Sequence, residues 1–256
     1  MTDGPENGAA DADYTVSVEF YDLLQAESDR RLAQRRFAGA AGRARLAVLD
    51  VGAGTGIVTE MLLTAAAVPI HAVEPSPAMR TALLSRLSGL GAARQARVTV
   101  HPEPVQEAGL AGVADLAVAS NVIASLDPAA RRATWRALEA ALVPGGLLLF
   151  DPPPSRLPAG PEHDRLGPVR VGPDLYSADL ARAPHRGALR ATFTYRVERH
   201  GRTVREEREA FDLWPADPSQ LRSELRDAGL QLVRAPSADL MAARRPLHGA
   251  GPSGHR

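Results

Sequence analysis

The sequence reads as an α/β chain: a mostly parallel, seven-stranded sheet with helices on both faces and a small antiparallel insertion. Short apolar runs alternate with segments of helical period from residue 46 to residue 150. A glycine-rich turn, Gly52-Ala53-Gly54-Thr55-Gly56, joins the first apolar run to the helical segment behind it. Beyond residue 150 the pattern changes to period-two alternation, a hairpin signal and one last helix.

The elements follow in order. Residues 14–40 are helical in pattern, with Phe20, Leu23 and Leu24 on one side. Leu46-Ala47-Val48-Leu49 reads as a buried parallel strand. A helix over 57–67 repeats Ile57, Met61 and Leu62 at helical spacing, and a strand over 70–73 ends at Glu74. Residues 75–90 form a helix marked by Met79, Leu83 and Leu87 and closed by Gly89 and Gly91. Strands are expected over 98–101 and 115–119. Asp127 is an N-cap with Pro128 at the first helical position. That helix runs through Trp135, Leu138 and Leu142, ends at Val143-Pro144-Gly145-Gly146, and leads to a fifth strand over 147–150.

Asp151-Pro152-Pro153-Pro154 opens a Pro-rich loop expected to reach about Pro173. Ala191, Phe193, Tyr195 and Val197 share one face of a strand. His200-Gly201 reads as a hairpin turn, and 203–211 as its antiparallel return. Asp217-Pro218-Ser219-Gln220 starts a helix that buries Leu221 and Leu225 and stops at Gly229. Residues 230–233 and 239–242 are the closing strands. No repeat and no second core is visible. The expected organisation is one domain over 14–245, with a substrate-side insertion at 152–211 and disordered tails at 1–13 and 246–256.

Bulk properties narrow the function. A chain of 256 residues buries roughly 70–75% of its unfolded surface, enough for an independent core. Acidic and basic residues balance at 30 each, and every basic one is Arg. A nucleic-acid binder usually shows a basic surplus or stripe, so a small-molecule substrate is favoured. The N-terminus has neither a basic start nor an apolar run, and no stretch is apolar and long enough to span a bilayer. With no Cys, a reducing, cytoplasmic setting is expected. No metal and no membrane partner is expected, and the oligomeric state stays open.

The glycine turn carries the strongest signal. Gly52, Gly54 and Gly56 permit a sharp turn and close approach of a ligand to backbone. The helix behind them offers free N–H groups and a positive dipole end. A dinucleotide site wants G-x-G-x-x-G, but here the third glycine comes one place early and Ile57 holds the required position. A phosphate-binding P-loop needs Lys, and the chain has none. Glu74, ending the second strand, is a bidentate acceptor suited to the two hydroxyls of a ribose.

Val48-Leu49-Asp50-Val51-Gly52-Ala53-Gly54-Thr55-Gly56 resembles motif I of the class I S-adenosylmethionine-dependent methyltransferases. The resemblance implies a Rossmann-like sandwich with S-adenosyl-L-methionine as cofactor. It implies that Asp50 helps hold the amino group of the methionine part, that backbone from Gly52 through Ala53, Gly54, Thr55 and Gly56 runs beside the cofactor, and that Glu74, next to Pro75, binds the ribose. Three further segments match in order. Pro102-Glu103-Pro104 stands where the family often has Gly-Asp-Ala near the adenine, with Glu103 replacing that Asp. Asp115 to Asn121 resembles the fourth strand, with Asn121 facing the methyl centre, and Leu142-Val143-Pro144-Gly145-Gly146 resembles the turn before the fifth. Tyr21 lies on the N-terminal helix, which in this family often covers the cofactor.

Other readings compete. Asp151-Pro152-Pro153-Pro154 resembles the Asp-Pro-Pro-aromatic motif of nucleic-acid amino methyltransferases, but it follows the fifth strand and lacks the aromatic, so a rigid loop is expected. The seven His residues are scattered, and no general base is assigned. The expected reaction is methyl transfer to an N, O or C nucleophile of a metabolite. The alternatives are a non-catalytic module on the same fold, a nicotinamide-dependent oxidoreductase, and a methyltransferase acting on RNA or protein.

Overall fold

Strands and helices alternate through the first 150 residues, as the hydrophobic periods require. The computed structural model describes residues 14–247; the tail expected at 1–13 and residues 248–256 of the other tail lie outside the described residues. The elements are α1 (Ser17–Ala41), β1 (Val48–Val51), α2 (Ile57–Ala65), β2 (Ile70–Val73), α3 (Pro77–Ser88), a one-turn α4 (Ala92–Gln95), β3 (Val98–His101), β4 (Ala114–Ala119), α5 (Pro128–Ala141) and β5 (Leu142–Phe150). Next come β6 (Glu162–Val171), β7 (Asp174–His185), β8 (Ala188–Arg199) and β9 (Arg202–Leu213). α6 (Pro218–Asp227), β10 (Gln231–Val233) and β11 (Met241–Arg244) close the chain.

The seven-stranded sheet has the order β10-β11-β5-β4-β1-β2-β3. Only β10 and β11 run antiparallel to their neighbours. β1 sits between β4 and β2 and is buried along its whole length, as a strand covered on both faces must be. Successive side chains then serve opposite layers. Val48 joins Phe37, Leu62 and Leu83 beneath α1, α2 and α3. Leu49 joins Trp135, Leu138, Phe150 and Leu225 beneath α5 and α6. No helix among the described residues is long and apolar enough to cross a membrane.

Residues 162–213 form a second, four-stranded antiparallel sheet, β6-β7-β8-β9. The Pro-rich loop expected to reach about Pro173 is therefore corrected: residues 162–171 are β6, and β7 begins at Asp174. The signal was hidden because β6 is an edge strand that is mostly exposed, so its alternation is blurred by polar residues. Pro168 sits at a register shift between Leu166 and Val169, where a strand tolerates proline. Smaller corrections concern boundaries. The first strand is Val48–Val51 rather than 46–49, leaving Leu46 half exposed, and the last is Met241–Arg244 rather than 239–242. Val143 to Gly146, expected as a turn, belongs to β5, where Gly145 and Gly146 pair with the Arg245 backbone (2.8 and 3.0 Å).

α1 joins the two sheets. Phe20 stacks on Tyr195 of β8 (ring centroids 4.5 Å apart) within a cluster that includes Ala178 and Val197. The helix has no side-chain cap of its own. Instead Glu209 of β9 accepts the N–H groups of Val16 (3.4 Å) and Ser17 (2.7 Å), putting a carboxylate at the positive end of the helix.

α5 and α6 are held by a buried ion pair. Arg131, fully buried, gives Nε and Nη2 to the two carboxylate oxygens of Glu224 (2.8 and 2.9 Å), and Trp135 Nε1 adds a third bond (3.1 Å). Burial pushes the Glu224 carboxyl up, but its bonds to Arg131, Trp135 and Gln220 outweigh that and hold it below the usual value. Glu224→Ala leaves the Arg131 charge buried without its partner. Urea denaturation should show a loss of about 3–5 kcal/mol; a loss below 1 kcal/mol would mean that water solvates Arg131 after all.

Candidate cofactor and active site

The site begins where β1 runs into α2. Gly52, Gly54 and Gly56 have φ of 67°, 57° and 87°. A Cβ on Gly52 would lie 2.3 Å from Val122 Cγ2, and one on Gly56 would lie 2.6 Å from Leu83 Cδ1. Side chains are excluded at both positions by backbone conformation and by space. A Cβ on Gly54 would meet nothing closer than 4.0 Å, so this glycine presents an open face. The turn is pinned to β2 by the Gly52 and Ala53 N–H groups, which donate to the Val73 carbonyl (2.9 and 3.0 Å).

Glu74 is tied into the same turn. Gly54 N–H donates to its Oε2 (2.7 Å) and Ser76 N–H to its Oε1 (2.8 Å). Arg80 donates to the Glu74 and Pro75 carbonyls (2.8 and 3.0 Å), fixing the chain without touching the carboxylate. Burial raises the Glu74 pKa, opposed by the Ser76 and Gly54 N–H groups and by Arg80. An ionised carboxylate has about four acceptor positions, and backbone takes two of those on Glu74.

Asp50 faces elsewhere. It is 1% exposed, and its Oδ2 accepts the Thr59 hydroxyl (2.6 Å), tying the end of β1 to α2. Burial pushes its pKa up to about 7 against the Thr59 bond, and the charge of Glu74 adds to the rise.

α1 covers the turn. Thr55 donates its hydroxyl to Asp22 (2.6 Å), and Arg86 of α3 bridges Asp22 (2.5 Å), Glu60 (3.1 Å) and the Thr55 carbonyl (2.8 Å). Tyr21 donates to Asp29 Oδ2 (2.8 Å) and accepts from the Asn121 amide. Its pKa is raised well above the usual value by burial first and then by the charge and bond of Asp29. Asn121 has a φ of 59°, held by its N–H bond to Asp151 Oδ1 (2.8 Å). Tyr14 stacks on Phe211 (4.8 Å), and its pKa is pushed up to about 12 by burial, with the charges of Glu74 and Glu209 adding.

Beneath α1 lies a cavity of about 50 Å³. Tyr21, Gly52, Ala53, Gly54, Thr55 and Asn121, all expected from the sequence, line it. The other expected residues do not. Asp50 and Gly56 are buried outside that lining, Glu74 sits under the turn, and Pro75 and Glu103 are exposed after β2 and β3. Sequence reasoning missed Asp29, Leu32, Ile57, Val58 and Ser120, which complete the wall. Ile57 and Val58 directly follow the glycine turn, and Asp29 lies about two helical turns beyond Tyr21, so both signals were present. The space is well below the roughly 300–1,000 Å³ of small-molecule pockets. A larger ligand must displace α1 or extend along the open rim toward Glu74.

Residues 49–148 match the model of a family described as a methyltransferase domain. Over these residues the chain is similar to methyltransferase domains. Solved methyltransferases share the fold over nearly their full length. An amino pentose methyltransferase of calicheamicin biosynthesis from Micromonospora echinaspora shares 22% identity, with a TM-score of 0.67 over 94% of this chain and 100% of that one. A sugar N-methyltransferase from Streptoalloteichus sp. shares 25% identity, with a TM-score of 0.66 over 96% and 99%. The CcbJ methyltransferase from Streptomyces caelestis shares 20% identity, with a TM-score of 0.70 over 91% and 98%. No curated protein sequence matches. The architecture is the Rossmann-like fold of the class I methyltransferases, with a separate small antiparallel sheet.

The Asp50 carboxyl gives the protein a pH signature. Its folded pKa, about 7, exceeds the unfolded value of roughly 4, so its contribution to stability is full below pH 4 and lost as pH rises toward 7. The melting temperature of the cofactor-free protein, relative to Asp50→Asn, should fall across that window and be flat above it. A difference constant from pH 4 to pH 8 would show that Asp50 is ionised throughout.

Proposed function

We propose that the protein transfers the methyl group of S-adenosylmethionine to a nucleophile on a small-molecule acceptor, and that this nucleophile is an amine. The observation that carries the reading is the bond from Gly54 N–H to Glu74. It brings together an open glycine backbone and a carboxylate acceptor, groups suited to a nucleoside with a charged tail. The residues fit this cofactor. Glu74 meets the ribose hydroxyls, the Gly52–Gly54 backbone runs alongside, and the N-terminus of α2 offers N–H groups and a positive dipole to the carboxylate of the tail. When bound, the cofactor supplies a methyl group on a positively charged sulfur, already activated for displacement by a lone pair.

The protein's own part is to hold two reactants in line and keep water out. α1 closes over the turn and shields the centre. Residues 152–211 form the acceptor side, where Phe193 packs edge-on to Phe211 and Phe211 stacks on Tyr14. The amine reading takes support from the amino pentose and sugar N-methyltransferase activities of the two relatives so described. A neutral amine already carries its lone pair, so no strong base is required beyond one that accepts a proton after transfer.

Titration calorimetry with S-adenosylmethionine and S-adenosylhomocysteine, with NAD as control, tests the reading. Micromolar binding of the first two is expected, with Glu74→Ala weakening it roughly 30-fold, about 2 kcal/mol. Binding of NAD alone would overturn it. Cofactor binding without turnover across a panel of amino sugars, other amines and hydroxylated metabolites would leave a binding module in place of an enzyme.

A further inference from the structure

The cavity under α1 has an unbalanced charge. Its lining includes one carboxylate, Asp29, and no Arg or His. Asp29 presents its Oδ2 to the Tyr21 hydroxyl (2.8 Å), an uncharged partner. Arg36 acts on Asp29 from a distance, but its Nε is committed to Asp239 (2.6 Å). Burial raises the Asp29 pKa despite the Tyr21 bond and the charge of Arg36. A half-buried carboxylate that faces a cavity and makes no ion pair with a described residue is completed by a cation from the ligand.

Other walls of the cavity determine which cation this is. Gly54 and Thr55 come from the turn, and Ile57 and Val58 begin α2. An α-amino acid tail placed here has its carboxylate at the helix N-terminus and its ammonium toward the carboxylate of the lining. Asp50, the acid suggested by the motif, is turned to Thr59 and lies outside that lining.

Resting on the proposed cofactor, we infer that Asp29, held by Tyr21, is the carboxylate that receives the α-ammonium group of the methionine tail. The Asn121 amide and the Asp151 carboxylate act behind it. Asp151 fixes the Asn121 backbone, Asn121 donates to Tyr21, and Tyr21 aims Asp29. Closing α1 and recognising the amino acid end of the cofactor are then one event.

Calorimetry on the purified full chain tests this with two ligands, S-adenosylhomocysteine and its analogue lacking the α-amino group. Asp29→Asn, and Asp29→Ser as a second variant should the first fail to fold, should bind S-adenosylhomocysteine at least tenfold more weakly than wild type. All three proteins should bind the deaminated analogue alike. Equal binding of S-adenosylhomocysteine by wild type and both variants would overturn the inference. So would an equal loss for both ligands, which would mark Asp29 as a structural residue only. If wild type bound neither ligand, the cofactor reading itself would fall, an outcome distinct from the other two.

Discussion

The site depends on one carboxylate held by backbone. Glu74 ends β2, and the N–H of Gly54, across the strand boundary, closes on it at 2.7 Å. Gly54 makes that bond from a left-handed conformation, which glycine adopts without steric cost. Parallel pairing of β1 with β2 sets the register that brings the two ends level, since Val51 pairs with Val73. A group this buried loses hydration, and charge-assisted N–H bonds from Gly54 and Ser76 offset the loss. Sheet, turn and acid therefore form one unit.

α1 is the second constraint. One stretch of it packs on the second sheet through Phe20, and another supplies Tyr21 and Asp29 to the cavity. Its N-terminus is capped by Glu209 from β9 rather than by a residue of its own. The second sheet and the cover of the cavity are thus mechanically joined. A shift of α1 that opens the cavity disturbs the Phe20–Tyr195 stack and the Glu209 cap as well, which couples cofactor entry to the shape of the second sheet.

The central sheet was legible because each strand is a short apolar run bounded by breakers, and because Gly52, Gly54 and Gly56 stand where only glycine fits. β6 was not legible. Its residues are exposed on both faces, so no periodic signal distinguishes it from a loop, and only pairing with β7 makes it a strand. The site divides the same way. Motif residues near in sequence, such as Gly52 to Thr55, line the cavity together, whereas Asp29 is joined to the turn only by the fold. The orientation of Asp50 was equally invisible, since the hydroxyl that holds it belongs to Thr59, on the next element.

Net neutrality conceals a segregation of charge. On the second sheet, arginines are paired across strands: Arg190 with Asp212 (2.8 Å), Arg196 with Glu206 (2.8 Å) and Arg199 with Asp174 (2.6 Å). Such exposed pairs contribute little individually and leave no surplus charge. Around the cleft the pattern reverses. Asp29, Asp50, Glu74 and Asp151 all have raised pKa values, each with burial as the main cause. Arginines near them are spent on other partners, Arg36 on Asp239 and Arg80 on backbone carbonyls. A low-dielectric cleft with incompletely neutralised carboxylates attracts cations. A sulfonium with an ammonium tail, the cofactor of the proposed reaction, is such a ligand.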